Sequence, residues 1–187
     1  MSDKQPMLEV YLQEYEKLKD EQTQRIGFRD NLLYVTLGVI GAIIAVAIPN
    51  KANDNQANYY ALLVIPWVCL ILGWTYIVND EKITAIGRYL RSTLAEKIKE
   101  LTSHTDTESI FGWEFNHRKD PRRKRRKIEQ LIIDLITFVG SGIFALIAFW
   151  LLVSKPPLAV HLLGVVELLL LFVLGVEIAI YADLTGK

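Results

Sequence analysis

Four stretches of the chain, Leu32 to Ile48, Tyr59 to Val78, Ile128 to Val153 and Leu158 to Ala182, are almost uniformly apolar. Each has about the length that a helix needs to cross a hydrocarbon core, ~20 residues. A soluble protein of 187 residues has no use for four such helices, although 51% hydrophobic and 22% charged residues would suit an ordinary globule. The expected fold class is therefore all-α: a four-transmembrane-helix bundle with an N-terminal amphipathic helix and a cytoplasmic central loop that is helical and basic. The order along the chain is a cytoplasmic amphipathic helix (1–30), a first transmembrane hairpin (31–78), a cytoplasmic helix and basic loop (79–127), a second transmembrane hairpin (128–183) and a short cytoplasmic tail (184–187).

The net charge of zero conceals an asymmetry that sets the orientation, because 13 of the 21 Lys and Arg lie between Lys82 and Lys127. The two candidate outer loops carry one each, Lys51 and Lys155, whereas the first segment carries Lys4, Lys17, Lys19, Arg25 and Arg29. Basic loops stay on the cytoplasmic side, so both termini and the central loop are placed inside the cell, at the inner membrane. Aromatic residues favour the headgroup level. Tyr59, Tyr60 and Trp150 fall at the outer interface of this topology, and Tyr34, Tyr76 and Tyr181 near the inner one. The polar, helix-prone first 30 residues do not read as a cleavable secretory signal, so the first span is expected to be retained. Cys69 is the single cysteine, which rules out an intramolecular disulfide and a cysteine metal cluster.

From Leu8, the residues Leu8, Tyr11, Leu12, Tyr15, Leu18 and Ile26 recur at helical spacing, and no break separates them from the first span. Beyond the second span Ile83, Ile86, Leu90, Leu94, Ile98 and Leu101 repeat every three or four residues. Both patterns predict amphipathic helices. Their polar faces mix acids with bases, which favours packing against each other over lying on headgroups. Pro66 predicts a kink in the second span, with Trp67 and Trp74 on one side of it. The segment from Ser103 to Pro121 reads as a loop, and its aromatic cluster Phe111 to Phe115 as either an interface anchor or a docking pocket.

Eight of the ten residues from Arg118 to Lys127 are basic: Arg118, Lys119, Arg122, Arg123, Lys124, Arg125, Arg126 and Lys127. Such a run binds anionic lipid at about 1 kcal/mol per charge. It could alternatively form a phosphate platform, but without a Gly-rich cradle a nucleic-acid partner is not expected. In the third span Asp134, Thr137, Ser141, Ala145 and Ala148 fall at steps of three or four and form one polar and small face. His161, Gly164 and Glu167 share a face of the fourth span, and Glu177 lies at the depth of Asp134. No span interior contains a Lys or Arg. An acid there is costly unless protonated and hydrogen-bonded or in contact with a hydrated path. Asp134, Thr137, Ser141, His161, Glu167 and Glu177 are accordingly the candidate intramembrane path for cations or protons. Gly38 with Ala42, and Gly41 with Ala45, supply small faces where neighbouring spans or subunits could meet.

Motifs of catalysis are missing from the sequence: there is no H-E-x-x-H, no G-x-S-x-G, no phosphate-binding P-loop and no His and Cys set at metal spacing. Neither an enzyme nor a cofactor nor a metal is expected. A Glu- and Tyr-rich leading helix, Gly112-Trp113-Glu114 ahead of Pro121 and the basic run, then Asp134 and Gly140, make a pattern that resembles a group of small bacterial four-span membrane proteins without an assigned activity. The resemblance implies the four-span fold and carries over no chemistry. Two functions stay open from the sequence. One is an oligomeric, channel-like membrane effector controlled from its cytoplasmic region. The other is a non-conducting anchor, scaffold or sensor subunit that recruits a cytoplasmic protein.

Overall fold

The computed structural model describes residues 4–48, 58–102, 111–112 and 121–182, and their regular structure is entirely helical. Helix α1 spans Lys4–Ala47. A 3-10 turn, Tyr59–Leu63, opens α2 (Val64–Tyr89), which continues through a π-helical turn at Leu90–Leu94 into α3 (Ala95–Thr102). Helix α4 (Arg123–Asp134) likewise passes through a π-helical turn, Leu135–Gly140, into α5 (Ser141–Leu152), and α6 spans Leu158–Tyr181. The result is four continuous helical rods, each long and apolar enough to cross a membrane. At ~1.5 Å per residue the 44 residues of α1 reach about twice the thickness of a hydrocarbon core, so only part of that rod can be a span.

Contacts divide the chain into two compact units, one of Met1–Arg29 with Val78–Arg126 and one of Asp30–Ile77 with Lys127–Lys187. In the first, polar unit, the two amphipathic segments pack against each other as their spacing predicts. Leu90, Leu94, Ala95, Ile98 and Phe111 are buried, with Leu8, Tyr11, Tyr15 and Leu18 laid against them. Polar contacts continue the seam: Gln22 Nε2 donates to the Ile83 carbonyl (3.2 Å), Arg25 to Asn79 (3.3 Å), and Arg29 pairs with Asp80 at 2.7 Å. The Arg29 and Asp80 side chains are each only 15% exposed, so this pair is less screened than a surface ion pair. Tyr89 donates to Glu14 at 2.7 Å, and the Lys97 ammonium lies over the Tyr11 and Tyr89 rings. Phe111, expected at a membrane interface or docking pocket, is instead buried and stacked on Tyr15 with ring centroids 4.5 Å apart. An aromatic ring that finds a parallel partner in a core has no reason to seek headgroups. Trp113, Glu114 and Phe115 lie outside the described residues.

The second, apolar unit has one core, to which α1 contributes Leu32 and Ala47, the second rod Ile65, Cys69, Leu70 and Tyr76, the third Phe138, Leu146 and Phe149, and α6 Leu171, Leu174 and Ile178. Its exterior is equally apolar; Leu151 and Leu158, for example, are 80% and 75% exposed. Apolar exposure along four rods is compatible with a multi-pass membrane protein, since a surface of this kind suits acyl chains better than water. The faces Gly38/Ala42 and Gly41/Ala45 are on that exterior: all four residues are exposed, and a Cβ added to either glycine would meet nothing within 4 Å. They are not used for packing inside this chain.

Where the sequence predicts a kink, at Pro66, the helix changes type. Pro66 is the third residue of α2, directly after the 3-10 turn, where its missing N–H falls in the first turn and interrupts no established ladder. Between α5 and α6 the chain reverses through Lys155, at φ 58°, and Pro156 to Pro157, which precedes the first turn of α6. The residue before a proline avoids the right-handed helical region, and this turn ends α5 at Leu152.

Two glycines permit close approach in the core. A Cβ at Gly73 would lie 2.8 Å from Leu174 Cδ2 and 3.2 Å from Phe138 Cβ, and one at Gly142 would lie 2.8 Å from Leu171 Cδ1. Gly73→Val should therefore force these rods apart and lower the stability of the apolar unit by about 1 to 3 kcal/mol, the usual penalty of overpacking. Unfolding in mixed micelles measures the loss, with exposed Gly38→Val, expected to be silent in the monomer, as the control.

Candidate functional site

The polar positions of the spans fall into two separate places within the apolar unit. At the first, Asp134 ends α4 and is 5% exposed, and the Tyr76 hydroxyl, itself buried, donates to its Oδ2 at 2.8 Å. Gln130, one turn before Asp134 on the same face, donates its Nε2–H to the Tyr76 oxygen at 2.7 Å. The sequence offered no basic partner for this acid, and the structure supplies a phenol instead. Tyr76, read from the sequence as an interface aromatic, and Gln130, not singled out at all, are thus members of the site. Only the i, i+4 spacing of Gln130 and Asp134 hinted at it. Tyr76 is fixed in turn by the Phe138 ring, with centroids 5.2 Å apart.

Tyr76→Phe removes the hydroxyl and leaves Asp134 and Gln130 each without this partner. A buried polar group stripped of its hydrogen bond costs about 1 to 3 kcal/mol. The variant should lose that much stability in micelles, and Tyr76→Phe combined with Asp134→Leu should recover part of it, because both members of the pair are then apolar.

The π-helical turn corrects the face expected for the third rod. The buried residues are Asp134, Thr137, Phe138, Gly142, Ala145, Leu146 and Phe149, while Ser141 and Ala148 are only half-buried. A wider turn uses extra residue length per revolution and rotates everything beyond it, so Gly142 takes the inward place that simple periodicity assigned to Ser141. Ser141 instead donates to the carbonyl of Ile136, five residues back, at 3.2 Å, within the wide turn. The Thr137 carbonyl accepts the Cys69 thiol at 3.9 Å.

The second place is Glu167. On α6 the buried residues Gly164, Glu167, Leu171, Leu174 and Ile178 repeat at steps of three and four, forming a narrow seam into the core. Glu167 is 0% exposed, and neither carboxyl oxygen has a hydrogen bond of good geometry; Trp67 is the polar side chain that neighbours it. His161, expected to share this face, is exposed, one turn before Gly164. The Trp150 ring lies over this stretch, 5.9 Å from the imidazole centroid, with its Nε1–H buried and unpartnered. Gly164 makes the seat: a Cβ there would stand 3.0 Å from Trp150 Cζ2. Glu177 is half-buried nearer the end of the helix.

Asp134, Thr137 and Glu167 are therefore buried in one core, whereas Ser141, His161 and Glu177 are at its margin. Of the basic run, Arg122 precedes α4 and Arg123, Lys124, Arg125, Arg126 and Lys127 form its first turns, mostly exposed. Arg118 and Lys119 lie outside the described residues. No group of three or more His, Cys, Asp or Glu able to hold a metal occurs among the described residues. Comparison with family models, with curated proteins and with solved structures finds no match to this chain.

Proposed function

We propose that this multi-pass protein is an oligomeric membrane effector that passes protons or other cations across the cell inner membrane, under the control of its polar helical unit on the cytoplasmic side. The observation that carries this reading is Glu167, a carboxyl wholly enclosed near the middle of a candidate span, with the Trp67 side chain as its polar neighbour, no hydrogen bond of good geometry and no cation in any span to neutralise it. Such a group costs several kcal/mol and is a functional candidate by default. A replacement by Leu would be isosteric enough to pack, so stability alone gives no reason for an acid there.

Several copies would assemble around this path, since four rods on a closed apolar core leave no wide aqueous channel among the described residues of one chain. The open Gly38/Ala42 and Gly41/Ala45 faces of α1 suit close contact with a second copy. The exposed bases of α4 would hold the inner end of the third span at anionic headgroups. The side of the polar unit and of both termini follows the excess of Lys and Arg. No enzymatic activity, cofactor or metal enters this proposal.

Glu167→Gln is the test. It is nearly isosteric, so subunit assembly should persist, while ion flux in liposomes or its pH dependence should change. One observation favours a second reading, that of a non-conducting anchor recruiting a cytoplasmic protein: Asp134 is tied to Tyr76, and Ser141 to its own helix. Wild-type liposomes with no flux above background, under both a pH gradient and an applied potential, would decide for the anchor.

A further inference from the structure

We infer that Trp150 is a gate on a proton-access path from His161 to Glu167. The inference rests on the conduction reading and adds the route to its buried carboxyl and the residue that regulates it. His161 and Glu167 are six residues apart on α6, a rise of ~9 Å along the axis. That is too far for a direct hydrogen bond, which needs donor and acceptor within about 3 Å. A proton can cover the interval only through water. The indole of Trp150 lies across it: the ring packs against the imidazole, and its Cζ2 and Cε2 are 3.0 and 3.5 Å from where a Cβ at Gly164 would be.

Two features of the seat point to a group built to move rather than to a settled core. The Trp150 Nε1–H is buried without an acceptor, and both Glu167 oxygens, one turn beyond Gly164, are buried with no hydrogen bond of good geometry, the Trp67 side chain being their polar neighbour. Each of these groups would gain a partner from water entering the interval, so the closed arrangement leaves hydration energy unrealised. Gly164 leaves the indole this seat: a lone Cβ there would already press on Cζ2 at 3.0 Å and ask the ring to give by a few tenths of an ångström, and a longer side chain would hold it off. With the indole displaced, an imidazolium at His161 gives its N–H proton to the first of a short chain of waters, and the last of them passes one to a Glu167 carboxylate oxygen. The imidazole is left neutral and the carboxyl neutral, and the imidazole takes its next proton from the aqueous side.

Access can be read without measuring flux. Full-length protein in liposomes is treated with a water-soluble carbodiimide and glycine ethyl ester, which together convert an accessible carboxyl to an amide, and Glu167 is followed by peptide mass spectrometry. A membrane-soluble carbodiimide serves as the control that the carboxyl is reactive. In the wild type the soluble reagent should leave Glu167 nearly untouched. Trp150→Ala should raise labelling by about tenfold or more, because a minor open state of a few per cent becomes the main one. Gly164→Val, whose branched side chain reaches beyond a lone Cβ into the place of the ring, should raise it less by pushing the ring off its seat, and it carries the test if Trp150→Ala does not fold. Trp150→Phe, which keeps a ring, should stay near the wild type.

Equal labelling in the wild type and in both opening variants would overturn the gate, as would ready labelling of the wild type. The outcomes separate from those of conduction. If Trp150→Ala exposes Glu167 but no protein carries flux, the gate stands and the channel reading falls. If Glu167→Gln alters flux while neither opening variant changes labelling, the channel stands and the gate falls.

Discussion

Phe138→Ala should lower the stability of the apolar unit by about 3 kcal/mol, the lower end of what deleting a buried aromatic side chain costs. The lower end applies because lipid tails are as apolar as the core, so no transfer from water is lost in a bilayer. What remains is the cavity and the dispersion contacts that a void forfeits. Phe138 is 0% exposed, its ring leans on Tyr76, and its Cβ sits 3.2 Å from the position a Cβ would take at Gly73. The effect should therefore reach the polar site. Without the ring, Tyr76 loses its lateral support and its 2.8 Å bond to Asp134 weakens. A double-mutant cycle of Phe138→Ala with Tyr76→Phe, followed by unfolding in micelles, should show a coupling of about 0.5 kcal/mol or more, as expected of residues in contact. Strict additivity would mean that ring and hydrogen bond are independent.

Leu94→Ala should open the polar unit at a cost of about 2 to 5 kcal/mol. Here the full penalty applies, transfer and cavity together, since the polar unit answers to water. Leu94 is 0% exposed, ends the π-helical turn and belongs to the core that joins Leu8, Tyr11 and Tyr15 to Leu90, Ile98 and Phe111. Amide hydrogen exchange should accelerate in residues 4–29 and 78–102 while residues 128–152 and 158–181 keep their protection. The same variant bears on the proposed function. If the polar unit controls conduction, flux in liposomes should change although no residue of the apolar unit has been altered. Unchanged flux in a channel that still conducts would remove the control from this unit.

Much of the architecture is written in the sequence because two simple physical requirements dominate it. Long apolar runs must be helical where no water can satisfy the backbone, and Leu8 to Leu18 and Ile83 to Leu101 carry the 3.6-residue repeat of helices with one buried face. The continuity of α1 was legible from the absence of any breaker between its polar and apolar halves. Asp134 and Glu167 could likewise be singled out, since an acid among apolar neighbours is conspicuous without coordinates.

Tertiary structure alone decided what those acids meet. Asp134 found a phenol 58 residues away, a pairing between helices that no local pattern encodes, while Glu167 found the Trp67 side chain and no hydrogen bond of good geometry. The inward place of Gly142 rather than Ser141 followed from a π-helical turn at Leu135–Gly140, which rotates the helix beyond it in a way that periodicity assuming 3.6 residues per turn cannot anticipate. Pro66 falls in the first turn of a helix because a 3-10 turn precedes it, and Phe111 is buried where Tyr15 offers a parallel ring. The sequence thus determined which segments are helical and apolar, through chain-local solvation. Which side chains meet was decided only by the packing of one helix on another, where partners distant in sequence compete for the same contact.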